Sequence, residues 1–197
     1  MLFKVIALIE MAVFYICYFT KMYVQKKKGI QTDQMGKGKT GFVKFIEVTL
    51  KIMTLCVPLV EVISILAIQP MFLGYARWIG AIVACIGVAV FVISVITMKD
   101  SWRAGVSEEE ETELVTNGIY QISRNPAFLG FDMLYIGILC MFFNWLLFTI
   151  SLLTMIMFHL QIVNVEEEFL VQAFGDEYIA YKKKVYRYLG RKIKISD

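Results

Sequence analysis

Two short polar stretches hold the residues that could do chemistry. The first reads Lys99-Asp100-Ser101-Trp102-Arg103-Ala104-Gly105, then an acidic block from Glu108 to Glu111 with Glu113. It continues Leu114-Val115-Thr116-Asn117-Gly118-Ile119-Tyr120-Gln121-Ile122-Ser123-Arg124-Asn125-Pro126. Pro126 fits the first turn of a helix, where its missing donor costs nothing. Asn125 just before it reads as the N-cap. Asn117-Gly118 reads as a turn with positive φ. The free N–H groups at such a helix start, with the positive end of its dipole, can receive a carboxylate. The second stretch begins Asn164-Val165-Glu166-Glu167-Glu168-Phe169-Leu170 and runs on to Phe174-Gly175-Asp176-Glu177-Tyr178 and Tyr181-Lys182-Lys183-Lys184. Apolar residues at 165, 169, 170 and 174 recur at helical spacing, and Gly175 is placed to end that helix. By composition alone, Glu166 to Glu168 are either a solvated helix surface or part of a site. The single histidine, His159, reads as a helix–helix hydrogen bond or as an acceptor-side group. Cys17, Cys56, Cys85 and Cys140 all lie in apolar runs without a CxxC pair, so they read as buried small hydrophobes, and no metal is expected.

The elements that must hold these stretches are apolar helices. The chain has 197 residues, 58% hydrophobic and 19% charged, where globular domains run at about 45–50% and about 25%. The charged residues bunch into three stretches with long apolar runs between them. That pattern excludes an ordinary soluble domain, a disordered chain and a disulfide scaffold, and it implies an all-α polytopic membrane protein. Nothing in it suggests a nucleic-acid partner.

Five runs are long enough to cross a hydrocarbon core: about 2–24, 42–68, 72–98, 127–143 and 145–163. Gln69-Pro70-Met71 and Asn144 make tight connections, and the fifth helix is expected to continue out of the membrane. The chain divides into three helices over 1–98 and, over 99–197, a linker, a helical hairpin and a post-membrane helix. Lysines and arginines number seventeen on the side of the polar stretches, against Lys4 and Arg77 on the other. By the positive-inside rule the N-terminus lies outside and the tail in the cytoplasm. The run Lys182 to Lys184 is expected to meet anionic headgroups. Glu10, Lys44, Glu47, Lys51, Glu61 and Asp132 fall within or at the ends of the apolar runs. Those near the ends can snorkel, whereas Glu61 is deep and must face a helix partner or a polar cavity.

The series Ser-Trp-Arg-x-Gly, Leu-Val-Thr-x-Gly-x-Tyr-x-x-x-Arg-Asn-Pro, Glu-Glu and Phe-Gly-x-Glu-Tyr-x-x-Tyr resembles the integral-membrane methyltransferases. That superfamily comprises the isoprenylcysteine carboxyl methyltransferases and the phospholipid methyltransferases. The resemblance covers 98–188. It implies S-adenosylmethionine bound at the cytoplasmic face, and a lipophilic acceptor arriving sideways from the bilayer. Carried over position by position, Val115, Gly118, Tyr120, Asn125 and Pro126 would line the cofactor pocket, with Phe128 where the family often has Tyr. Glu166 and Glu167 match an acidic pair that contacts the cofactor's amino end or orients the acceptor. Arg124 matches an arginine assigned to acceptor or pocket electrostatics. Arg124 and Glu167 are thus the expected catalytic residues, with Glu167 able to assist an amine acceptor. Members acting on prenylated cysteine commonly carry His where Asn125 stands, and a further Arg near the acidic pair. Here no Arg lies between Phe143 and Arg187, so half of a carboxylate clamp is expected to be missing.

Two other readings remain at this point. Membrane sterol reductases share a similar C-terminal pattern and use NADPH, but a 2′-phosphate wants extra basic residues, and the 99–125 loop is acidic. A non-enzymatic membrane scaffold would keep the turn and the acids as structure only.

Overall fold

The structure, a computed structural model, describes residues 1–67, 71, 74–106 and 113–192. The expected turn at Gln69-Pro70, the acidic block Glu108 to Glu111, and the expected helix ends at Ile68 and Phe72 lie outside the described residues. Among those described, the long elements are helices and no strand forms. They are α1 (Leu2–Lys27), α2 (Gly41–Ala67), α3 (Gly74–Met98), α4 (Pro126–Met141), α5 (Trp145–Gln161) and α6 (Glu167–Lys184). Short 3-10 turns cover Lys99–Ser101 and Gly118–Gln121, and a π-helical turn, Ile162–Glu166, joins α5 to α6.

Four of the helices are long and apolar enough to cross a membrane: α1, α2, α3 and the one that starts with α5. With the membrane methyltransferase resemblance, they make this an integral membrane protein. The continuous apolar part of the last helix is α5 itself, and charged residues enter from Glu166 onward. The fourth expected span is a shorter helix of 16 residues, about 24 Å at 1.5 Å per residue. One face of it is packed into the bundle, with Gly130, Leu134, Gly137 and Ile138 buried, while Ile136 on another face is exposed.

Glycine spacing decides that arrangement. Gly80 and Gly87 of α3 face Gly137 and Gly130 of α4, seven residues apart on each helix. A Cβ added at Gly137 would lie 2.6 Å from the Ala84 backbone nitrogen and from the Gly80 carbonyl oxygen. Backbones that close replace the hydrophobic drive that lipid cannot supply. Beside this seam lies an aromatic core. Phe14 stacks on Phe91 at 4.1 Å, and Phe131 meets Phe14 edge-on at 4.6 Å.

Helices α2 and α5 are pinned at both ends. Asn144 caps α5 through the Leu147 N–H at 3.0 Å and donates to Ser64 Oγ at 2.8 Å. At the other end Gln161 Nε2 donates to Glu47 Oε1 at 3.4 Å. The loop after α1 closes the same face. Thr32 donates to Gln25 at 2.7 Å, Gln25 donates to the Trp102 carbonyl at 2.9 Å, and Lys51 pairs with Asp33. The ends of α1, α3 and α5 and the starts of α2 and α4 therefore share one polar face.

Candidate active site

Glu167 opens α6, and three cations converge on its carboxylate. Arg124 Nη2 lies 2.9 Å from Oε1, and Lys182 Nζ lies 2.8 Å from Oε2. Arg187 binds through two nitrogens, Nε to Oε1 at 2.8 Å and Nη2 to Oε2 at 3.1 Å. The Arg124 and Glu167 side chains are each only 5% exposed. Such a forked pair is the strong form of a charged hydrogen bond.

Two backbone devices bring the cations in. Lys182 is fifteen residues beyond Glu167, which a straight helix would place about 22 Å away. Gly175 breaks α6 at φ 49, ψ −125, and the second half folds back toward Glu167. The expected helix end at Gly175 is therefore a bend between two helical pieces. Arg187 arrives on a tight loop between Val185 and Arg191, where Tyr186 N–H donates to the Gly190 carbonyl at 2.9 Å. This loop docks on the segment before α4. Arg124 N–H donates to the Tyr186 carbonyl at 3.1 Å, and Asn125 N–H to the Arg187 carbonyl at 3.2 Å.

Several sequence expectations are corrected here. The Asn125 side chain makes no cap hydrogen bond to α4; the docked tail engages its amide instead, with Nδ2 donating to the Arg187 carbonyl at 3.1 Å. Lys182 pairs with Glu167, and Lys183 and Lys184 are exposed. His159 Nδ1 meets the Tyr188 hydroxyl of the tail at 2.7 Å, not another helix. No arginine stands near the acidic pair in sequence, but Arg187 folds back from the tail and joins Arg124 on Glu167. The linear spacing hid it; the only signals were the breakers Gly175 and Gly190.

Around this centre, Tyr120, Tyr178 and Tyr181 form a buried cluster with Val115 packed against it. Tyr181 donates to the Tyr120 carbonyl at 2.6 Å, and Tyr120 donates to Met98 Sδ at 3.2 Å. Arg124 Nη1 donates to the Tyr178 hydroxyl at 3.2 Å. Gly118, at φ 55, rests against Thr97 of α3, with 3.1 Å to Cγ2 from an added Cβ. Pro126 starts α4 as expected.

Glu166 and Glu167 differ sharply. Burial opposes ionisation of Glu167, but the hydrogen bonds from Arg187 and Lys182, with the Arg124 and Arg187 charges, outweigh it and draw the carboxyl down from 4.5 to about 2. Glu166 has no such cations. Burial, with Glu47 nearby, pushes it up from 4.5 to about 8. Glu47 is fully buried and also accepts from the Gly36 N–H at 2.7 Å, and Gln161 Oε1 has no partner. Acceptor oxygens thus crowd one side of the π-turn, and cations the other. Glu167 is a permanent anion and a poor proton acceptor near neutrality, and Glu166 is the acid whose ionisation a bound cation would favour.

A cavity of about 290 Å³ lies beside the start of α4. Its walls include Tyr18, Phe19, Leu55, Trp102, Phe128 and Phe131. Phe128 also packs edge-on against Phe158 at 5.2 Å. Phe19 and Leu55 are 58% and 63% exposed, so the cavity opens between α1 and α2 toward the lipid side. Among the described residues no group of metal-ligating side chains occurs.

A family model described as phospholipid methyltransferase matches residues 75–177, slightly more than half of the chain. A protein-S-isoprenylcysteine O-methyltransferase of Saccharomyces cerevisiae is 32% identical over 109 residues, 54% of this chain and 46% of that protein. A probable protein-S-isoprenylcysteine O-methyltransferase of Oryza sativa subsp. indica is 29% identical, over 57% of this chain and 60% of its own. The protein-S-isoprenylcysteine O-methyltransferase of Dictyostelium discoideum is 32% identical, over 55% and 47%. The chain spans about half the length of the curated relatives it matches.

Proposed function

The chain belongs to the phospholipid methyltransferase family, and from that premise we propose that it transfers a methyl group from S-adenosylmethionine to the carboxylate of a lipophilic acceptor. The observation that carries this reading is the pair of guanidinium groups, Arg124 and Arg187, both anchored on Glu167. Three cations against one carboxylate leave excess positive charge just before α4, whose Ala127 and Phe128 line an apolar cavity that opens toward lipid. An acceptor with an apolar chain and a carboxylate matches both. The relatives named isoprenylcysteine O-methyltransferases act on prenylated cysteine by their names, and a prenyl-like chain is one candidate for the cavity.

The residues present fit the methyl donor. Glu166, Glu47 and the unpaired Gln161 Oε1 offer acceptors to its ammonium and a negative field to its sulfonium. Val115, Gly118, Tyr120, Asn125 and Pro126 form the surrounding wall in this reading. When bound, S-adenosylmethionine supplies an electrophilic methyl group. A carboxylate acceptor is already a nucleophile, so the chain's own task is positioning and the exclusion of water. Glu167 is a positioning residue, holding Arg124 and Arg187 where they can orient the acceptor. By the lysine and arginine distribution, this face lies in the cytoplasm and the N-terminus outside.

The test is radiolabelled methyl transfer into a lipid extract by the protein in nanodiscs. Label is expected in a base-labile methyl ester, with a prenylated-cysteine analogue as one arm. No transfer, with stabilisation by NADPH but not by S-adenosylhomocysteine, would overturn the proposal in favour of a reductase.

A further inference from the structure

Behind Tyr15, one wall of the apolar cavity, lies a polar group that the methyl-transfer reading does not use. Glu61 of α2 is fully buried, and neither of its carboxylate oxygens has a hydrogen-bond partner. In a membrane interior that is costly unless a partner is supplied. The hydroxyls of Tyr15 and Tyr135 lie within electrostatic reach of Glu61 and of each other. Tyr15 lines the cavity. The Tyr135 ring packs on Phe131 and Phe158, two further walls, at 6.0 and 6.2 Å.

Helix α2 aims the same way. Thr54, Pro58 and Glu61 are spaced four and three residues apart, so they form one stripe along its face. Thr54 and Pro58 line the cavity. Pro58 sits inside the helix and donates no hydrogen bond, so the Thr54 carbonyl one turn earlier loses its usual donor. One stripe thus carries two oxygen acceptors in need of a donor, beside two phenol hydroxyls that can also donate.

We propose that this cavity takes a single apolar chain bearing a hydroxyl at its far end, received by Glu61 with Tyr15 and Tyr135. A hydroxyl both donates and accepts, which matches a buried carboxyl group beside phenols. At about 290 Å³ the cavity is at the small end of ligand pockets, which run from about 300 to 1,000 Å³. That suits one chain and not a whole two-chain lipid. The inference rests on reading this cavity as the acceptor's place, and it makes the acceptor a hydroxylated lipid rather than a plain hydrocarbon chain.

The test reads binding and not turnover. Trp102 lines the cavity, and replacing Trp78→Phe and Trp145→Phe leaves it as the sole tryptophan. In nanodiscs, ω-bromoundecanol should quench Trp102 at about tenfold lower mole fraction than bromoundecane, the scale of one or two buried hydrogen bonds. Glu61→Leu and Tyr15→Phe should each erase that preference and leave quenching by bromoundecane unchanged. Tyr15→Phe carries the test if Glu61→Leu does not fold. Equal quenching by the two probes, a preference that survives Glu61→Leu, or stronger quenching by ω-bromoundecylamine overturns the hydroxyl assignment. Calorimetry with S-adenosylhomocysteine on the same samples separates the readings. No binding with the alcohol preference intact defeats the methyl-transfer proposal alone, and binding without the preference defeats this one alone.

Discussion

The carboxyl of Glu167 is held near 2, while that of Glu166, one residue earlier, is pushed to about 8. The signs predict opposite effects of pH. Glu167 has its folded value below the ordinary one, so its contribution to stability is present above about pH 4.5 and is lost as pH falls toward 2. Glu166 has its folded value above the ordinary one, so the fold loses stability as pH rises from about 4.5 to 8. Glu166→Gln should therefore raise the melting temperature by several degrees at pH 8 and leave it unchanged at pH 4. It should also weaken S-adenosylhomocysteine binding at least tenfold. Melting curves at the two pH values, with calorimetry, check both outcomes. At Arg187 the forked geometry matters and charge alone does not suffice. Arg187→Lys should lower kcat/KM for the acceptor by about tenfold or more, with donor affinity little changed. An equal loss in donor binding would move Arg187 into the donor pocket.

At the scale of elements, Gly175 decides whether Lys182 reaches Glu167. Its φ 49, ψ −125 conformation is close to glycine-only, and an added Cβ meets nothing within 4 Å. The cost of Gly175→Ala is therefore conformational, about 1–3 kcal/mol. The variant should melt lower, and Lys182→Ala added to it should cost little more, because the ion pair is already loosened. A full additive loss in the double variant would show that the bend does not place Lys182. The α3–α4 seam is the opposite case, a glycine needed for space. Gly137→Leu should drive the backbones apart and abolish the folded state in detergent, and Gly137→Ala should lower the melting temperature sharply. Size-exclusion profiles and thermal melts report both.

At the scale of the whole molecule, the cavity mouth between α1 and α2 faces lipid while the charged centre faces the polar side. Leu55→Trp at the mouth should reduce acceptor kcat/KM several-fold with S-adenosylhomocysteine affinity unchanged, because Leu55 is exposed and remote from Glu166. An unchanged acceptor rate would place the acceptor's route elsewhere. Much of this plan was legible in the chain. Apolar runs of membrane length, a lysine and arginine excess on one side, Pro126 after Asn125 and the acidic pair all follow from local residue type and spacing, which act over one helix turn or one span. Arg124, Tyr120, Glu166 and Glu167 are named by the family resemblance of the motifs that hold them. Arg187, the role of Lys182, the tyrosines that meet Glu61 and the cavity itself could not be read from the chain. Each depends on groups from distant segments meeting in space: a tail that returns 62 residues to Asn125, a helix that folds back at Gly175, and helices α1, α2, α4 and α5 leaving a gap between them. The length of the apolar runs determined which segments are spanning helices, and the placement of lysine and arginine determined that the charges gather on one side. Only tertiary packing decided which charges share a carboxylate, because a Coulomb contact is set by distance in space and not by separation along the chain.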